Sequence, residues 1–490
     1  MTIQTGISAV YRYPGAYIQI NGSQAGLGGD IPGVLLVGQK LAAGTAPAGE
    51  VVRVTGVQDA IAKAGAGSML AQMAKRYRDI DPAFDLYMLP YDDVGEAGSN
   101  GSIQFGNTGI AANGTLALYI ASRRINVPII AAGATGDSIA LAAQQAIADA
   151  GDDIPVTAGV VGGASGILTL TAKHLGTCGD NIDIRLGLYG EETPAGLTVA
   201  ITAMSGGSGD PAPGDLTAML GNRWYRYIAL GINDAVTLAA WHAESQRRYL
   251  PPIQAGFRAF AAFRGDYDAA AAFGEATNYE HISTLSLEIN PIPTWESAAM
   301  VCAAAAPRLY ANPTQSLEGV PLPGMIGVSY HDFTNANSLL YKGMSIMQVA
   351  RDGSCSIKRL VSMYQFRPDG SADDAFLDIN TAEVMERIRY EQRMGAIKRF
   401  TGTSAAKSNE GFKPGLRITT VDDVRAYLLS LYQHTLMAEY GWVQEYDYYK
   451  ANLLVEQDPQ NPSRFNFADD PVLLSPYYIL AGISQFRKAV

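Results

Sequence analysis

The chain's 490 residues are too many for one ordinary domain and suit about three. Apolar residues make up 48% and charged residues 17%, enough material for real cores and a poor match to wholesale disorder. A formal net charge of −11 argues against a nucleic-acid binder, which needs a basic stripe to displace counterions from phosphates.

Cys178, Cys302 and Cys355 lie far apart and form no CxxC pair, so they are expected to be buried thiols in a reduced compartment, without metal or redox work. The opening MTIQTGISAVYRYPG has no basic n-region followed by an apolar core, so no signal peptide is expected. The longest apolar stretch, around Ala298 to Ala306, is about half of a membrane span. A cytoplasmic protein without direct membrane insertion follows, and the Asn-x-Ser/Thr matches at Asn21, Asn100 and Asn113 are then chance occurrences.

Residues 1–30 have no helical period. Glycines break them up around one extended piece, Ala16, Tyr17, Ile18, Gln19 and Ile20, which reads as an arm carrying a single strand. From Ile31 the pattern changes. Val34-Leu-Leu-Val37 is a continuous apolar run of the kind buried on both faces of a parallel sheet. Two helical stretches and a second strand, Phe84 to Leu89, open an α/β domain over residues 31–94.

Residues 95–213 interrupt it. They open with GEAGSNGS and close with SGGSGDPAPG, both loop compositions. Between these lie period-2 segments and one amphipathic helix begun by Asp137 or Ser138, so an inserted β-rich domain is expected, folding by itself. The α/β pattern resumes over residues 214–324. Tyr225 to Leu230, Gly256 to Phe263 and His281 to Leu287 read as strands, and Thr294 to Ala306 as a helix ended by Pro307. One doubly wound core assembled from the two halves follows.

Gly319-Val-Pro-Leu-Pro-Gly324 links this core to a C-terminal α+β region, residues 325–470. There Met344 to Gln365 predicts a hairpin with Asp352-Gly353 as a type I′ turn. Helices are predicted at Thr381 to Phe400 and at Val421 to Glu439, the second opened by the capping-box-like Thr420-Val-Asp-Asp423, and a strand at Asn452 to Glu456. Residues 471–490 form a C-terminal arm in which Tyr477, Ile479, Ala481, Ile483 and Gln485 alternate as in a strand with no partner nearby in sequence.

No catalytic signature stands out. A P-loop is absent, and Gly327-Val-Ser-Tyr-His331 lacks the closing glycine of a nucleophile elbow. The five histidines are scattered without metal-ligand spacing, and Asp369 to Asp378 lacks the order and terminal Glu of a calcium loop. No catalytic, cofactor or metal site is expected. Arg387, Arg389, Arg393, Lys398, Arg399 and Lys407 are interleaved with Glu383, Glu386 and Glu391. That spacing suits i,i+4 pairs on an exposed helix; because Lys398, Arg399 and Lys407 lie beyond Glu391, the alternative is a cationic strip.

In order, Tyr13-Pro-Gly-Ala-Tyr-Ile18, Gly114-Thr-Leu-Ala-Leu-Tyr-Ile120, Thr171-Ala-Lys-His174, Leu322-Pro-Gly324, Asp352-Gly353, the Tyr364 region and Asn461-Pro-Ser-Arg464 give a chain-long pattern. It resembles the sheath proteins of contractile phage tails, in the branch related to phage Mu. The resemblance implies a subtilisin-like α/β core without a working triad, and a self-assembling, non-enzymatic subunit. It implies six-fold rings stacked around a tail tube, bounded by a baseplate and a tail terminator, that shorten and widen to drive the tube through the host envelope. It implies a place in the virion tail, assembly in the host cytoplasm, and exchange of terminal strands between neighbours. Arg387, Arg393, Lys398, Arg399 and Lys407 become candidates to face the tube. The competing expectation is an α/β hydrolase-like enzyme with an inserted binding module, which requires a Ser, a His and an Asp within hydrogen-bond reach in a cleft. A surface-layer or adhesin-like protein is the other alternative, and the missing signal peptide speaks against it.

Overall fold

A computed structural model describes residues 33–487, apart from 163, 164, 329, 330, 409 and 414. The arm strand expected at Ala16 to Ile20 lies outside the described residues. The first core strand, β1 (Gly33–Gln39), is buried along its whole length, as an apolar run between two neighbours must be. β2 (Val52–Val54), α1 (Val57–Ala64), α2 (Met69–Ile80) and β3 (Asp85–Tyr91) follow. β1 pairs in parallel with β3, and β2 closes that edge antiparallel.

The chain then builds β4 (Gly98–Asn107), β5 (Gly114–Ile120), β6 (Arg123–Ile129), α3 (Gly136–Asp149), β7 (Val156–Val160), β8 (Ile167–Leu175), β9 (Ile184–Leu186) and β10 (Leu197–Ser205). These strands form two antiparallel sheets, ordered β10-β4-β8-β7 and β6-β5-β9. β4 corrects the reading of residues 98–102 as loop. Its glycines are there because neighbours leave no room for a side chain: a Cβ on Gly101 would sit 2.8 Å from Met204 Sδ, and one on Gly106 2.5 Å from Thr198 Oγ1.

Back in the core come α4 (Leu216–Leu220), β11 (Tyr225–Leu230), α5 (Ala235–Tyr249), β12 (Arg258–Phe263), α6 (Tyr267–Glu275), β13 (Ile282–Ser286) and α7 (Thr294–Ala311). Asp234 caps α5 by accepting from the Val236 and Thr237 N–H groups. α7 corrects the expectation that Pro307 ends it. The helix runs four residues further, because burial of its Ala-rich length against α2, β11 and β12 outweighs one lost backbone bond.

α8 (Phe333–Tyr341) leads into β14 (Met344–Val349) and β15 (Cys355–Arg359). The hairpin exists, but two expectations about it need correction. β14 pairs in parallel with β13, so the hairpin extends the core sheet, ordered β15-β14-β13-β12-β11-β1-β3-β2, rather than standing in the region after residue 325. Its turn is not type I′, because Gly353 has a positive φ of 81° and Asp352 does not.

α9 (Ile379–Phe400) leaves the core and starts a second one. β16 (Ser404–Ala405) pairs with β17 (Ile418–Thr419), and α10 (Val421–Ser430) opens with the Thr420–Asp423 capping box. The helix continues with π geometry over Leu431–Glu439. β18 (Val443–Gln444), α11 (Tyr446–Asn452), β19 (Leu454–Gln457), β20 (Phe465–Ala468) and β21 (Val472–Leu473) complete the described elements. Asn452 thus ends a helix, and the strand expected from it begins two residues later. Val384, Ile388, Tyr427, Leu428, Leu436 and Trp442 pack this second core around the stacked rings of Tyr432 and Tyr449.

Candidate assembly site

The second core carries sheets that stop at two strands. β19 pairs with β20 from Leu454↔Ala468 to Gln457↔Phe465, and β18 with β21 at Val443↔Leu473 and Gln444↔Val472. Neither has a third strand among the described residues, and a two-stranded sheet alone is marginal in water. Leu454 and Phe467 of the hairpin are exposed. Beside these open edges the chain runs on from β21 without further strand among the described residues. Tyr477, Ile479, Leu480, Ile483 and Phe486 are 68–92% exposed, and Ala481 and Gln485 are exposed as well. Tyr478 is the half-buried member of this stretch, a placement that the odd-numbered alternation in the sequence does not suggest.

The basic positions on α9 separate into two groups. The first half of the helix lies against the core sheet, with Glu383 and Glu386 buried. Glu383 Oε1 accepts from Arg226 Nε (2.8 Å), the Tyr227 hydroxyl (3.1 Å) and Arg387 Nε (3.3 Å), and its Oε2 lies 3.7 Å from Arg258 Nε. Burial alone would raise the Glu383 carboxyl, yet Arg226, Arg258 and Arg387 hold it below its ordinary value. Arg258 also donates to His281 Nδ1 (3.1 Å), and burial followed by the Arg258 charge pushes that imidazole well down, so it stays neutral. Arg387 donates to the Tyr310 carbonyl as well and covers the Tyr310 ring, so it serves the fold of its own subunit.

Arg393 is half-buried. Its Nε has no partner, and with Arg389, Phe400 and Tyr427 it lines a cleft of about 450 Å³. Lys398, Arg399 and Lys407 are exposed and form no ion pair among the described residues. Lys398 and Arg399 occupy the last turn of α9, where a cation suits the helix dipole. Arg387 and Arg389 are thus paired on α9, with buried rather than exposed carboxylates, whereas Lys398, Arg399 and Lys407 present free charge.

A Ser–His pair sits at the carboxyl end of β13. Ser286 Oγ lies 2.8 Å from His331 Nε2. The Ser286 residue is 2% exposed, and no carboxylate oxygen is hydrogen-bonded to His331 among the described residues. Burial moves His331 down, against the smaller pull of Glu288 and Asp332.

No family model matches the chain. Over 487 residues it is 31% identical to the Mu-like prophage FluMu tail sheath protein of Haemophilus influenzae, covering 98% of each chain. The chain belongs to the Mu-like tail sheath family. The sheath tail protein of Desulfitobacterium hafniense is similar at 13% identity and a TM-score of 0.46, over 94% of this chain and 100% of that one. The helical sheath of the anti-feeding prophage in its contracted state is similar at 11% identity and a TM-score of 0.46, over 98% and 100%. This protein is thus a structural subunit of a contractile tail sheath, and its mixed α/β multidomain fold carries the open edges and the bare arm described above. Of the residues that mark the sheath resemblance, His174 does a visible job: its Nε2 accepts the Met69 N–H at the start of α2 (2.8 Å), and its Nδ1 faces Asp93 (3.2 Å).

Proposed function

We propose that the subunit polymerises as stacked six-fold rings around a tail tube, between a baseplate and a tail terminator, and contracts from a high-energy extended lattice. The work comes from repacking between subunits, as in other bistable assemblies, with no nucleotide, metal or cofactor and no catalytic step. The core, residues 31–94 and 214–324 together with the β14–β15 hairpin, is a subtilisin-like α/β unit without a triad. Residues 95–213 form the β-rich insertion, the assembly region begins within α9, and residues 471–490 are an arm. The virion tail is the destination, and the host cytoplasm the place of assembly.

The observation that carries the assembly reading is the pairing of need and supply in one region. Two-stranded sheets with free edges are followed in the chain by an arm whose Tyr477, Ile479, Leu480, Ile483 and Phe486 are uncovered. A strand lent by a neighbour satisfies both, because main-chain bonding gives affinity without demanding particular side chains. Residues Ala16 to Ile20 supply the second arm in this reading. Purified full-length protein is expected to grow hollow tubes visible by negative-stain microscopy. Ile483→Pro removes a donor from the shared ladder, so it should leave a folded, soluble subunit with near-normal circular dichroism that fails to form tubes. Tubes of normal length from that variant would rule out strand lending by this arm.

Lys398, Arg399 and Lys407 are the tube-facing group in this reading, with Arg393 beside them and Arg387 withdrawn into its own subunit. Exposed charges are screened over about 8–10 Å at moderate salt, so sheath–tube binding should weaken as salt rises. Lys398→Glu with Arg399→Glu should uncouple sheath from tube and leave tube-free polymers intact. Unchanged co-sedimentation with tubes would remove these residues from the contact.

A further inference from the structure

The C-terminal arm is not wholly free of its own subunit. Between α8 and the β14–β15 hairpin lies a groove of about 430 Å³ lined by His331, Phe333, Leu340, Met347 and Arg359, with Tyr478 set into it. The Tyr478 ring lies over the Arg359 guanidinium, 4.5 Å from carbon to centroid. Arg359 is itself fixed by Asp378, with Nε 3.1 Å from Oδ1 and Nη2 3.0 and 3.2 Å from Oδ1 and Oδ2. Asp378 is the residue on which α9 begins. One side chain of the arm therefore rests on the joint between the core sheet and the assembly region.

The contact is a small one. The ring rests on Arg359, and the Tyr478 hydroxyl, which makes no well-formed hydrogen bond, lies near Asp378 and Ser316. Tyr478 lies five positions beyond Leu473, the end of β21, and such a span reaches at most about 17 Å, which keeps the anchor local. Beyond it, residues 479–487 are exposed and could extend roughly 30 Å. Docking through Tyr478 leaves Tyr477, Ile479 and Ile483 facing outward.

We propose that Tyr478 is a latch that parks the C-terminal arm on its own subunit, through the Arg359–Asp378 pair, until a neighbouring copy takes the arm. The proposal rests on the arm-lending reading above. A parked arm is not competent to be lent, so the concentration needed for assembly rises by the inverse of the free fraction. One exposed-edge cation–π contact biases that fraction by on the order of three- to tenfold. The latch thus raises the concentration at which tubes form, and it opens where a neighbour's sheet edge takes the arm.

The test uses full-length protein and two readouts. The three native cysteines are buried, so a nitroxide on Leu480→Cys reports the arm selectively in the unassembled subunit. Tyr478→Ala should sharpen the nitroxide spectrum and lower the tube-forming concentration about three- to tenfold. Tyr478→Phe keeps the ring on Arg359, and should stay closer to the parent than Tyr478→Ala in both. An unchanged spectrum in Tyr478→Ala, or a freed arm with an unchanged or higher threshold, overturns the latch. Failure of the arm-lending reading is seen separately, as tubes formed by Ile483→Pro.

Discussion

Glu383→Ala is expected to detach the first half of α9 from the core sheet at a cost of about 3–5 kcal/mol, because it strands Arg226 and Arg258 in the interior without their anion. The site has no slack. Glu383 is 1% exposed, Arg258 is fully buried, and Arg226 Nη2 and Arg258 Nε already lack hydrogen-bond partners. Glu383→Gln keeps the shape and one acceptor oxygen, so it should cost less. The described residues form more than one hydrophobic core, so one midpoint for the whole molecule would mix transitions. Amide hydrogen exchange along residues 379–388 is the readout, and rates within twofold of the parent in the alanine variant would defeat the idea.

The same cluster sets a pH dependence. Glu383 has a folded value depressed by its arginines, so its contribution is complete above the unfolded glutamate value of about 4.3 and is lost as pH falls through the lower folded one. His281 is also depressed in the fold, chiefly by burial. Its neutral form therefore supports stability above about pH 6.5, and that support is lost as pH falls through its folded value. Both signs agree: acid loosens the joint between α9 and the sheet, His281 beginning at higher pH than Glu383. His281→Gln should remove the first of the two steps and keep the second.

The parts of this fold that were legible in sequence are those where one local force dominates. Val34 to Val37 had to be a strand buried on both faces, and Thr420 with Asp423 had to start a helix. Where a distant partner decides, the sequence misleads. Gly98 and Gly101 resemble loop composition, yet they sit in β4, where Met204 presses on the place a Gly101 side chain would take. Glu383 and Glu386 resemble the solvated partners of an exposed helix, but they are buried, and besides Arg387 and Arg389 of their own helix they meet Arg226 and Arg258 on β11 and β12 and the Gly256 amide at the entry to β12. Pro307 would end an isolated helix but does not end a buried one. The alternation from Tyr477 to Gln485 does not single out Tyr478, because its contact, Arg359, is more than a hundred residues away.

Glu296→Ala should loosen the inserted sheets from the core, at about 3–5 kcal/mol. Glu296 on α7 is fully buried and joins both units: Arg76 of α2 donates Nε to Oε2 at 2.7 Å, and Arg123 of β6 donates Nη1 to Oε1. Without the carboxylate, the mostly buried Arg76 and Arg123 guanidiniums keep one anion between them among the described residues, Asp153 beside Arg123. A neighbouring pair provides the control. Arg124 and Glu191 lie 3.4 Å apart with the Arg124 side chain 52% exposed, so Arg124→Ala should cost under about 1 kcal/mol. Hydrogen exchange at β6 and at the Met69 amide, which His174 of β8 accepts, reads the loosening. Exchange there that rises no more in Glu296→Ala than in Arg124→Ala would show that the carboxylate does not hold the joint. Bridging residues 94 and 215 to excise the insertion should be worse still. It removes Arg123, the His174 acceptor, and the Leu175 carbonyl that Gln39 reaches at 3.0 Å, leaving buried groups of β1, α2 and α7 unpaired. A junction with this many buried polar partners does not slide, so the insertion is expected to move with the core as one unit.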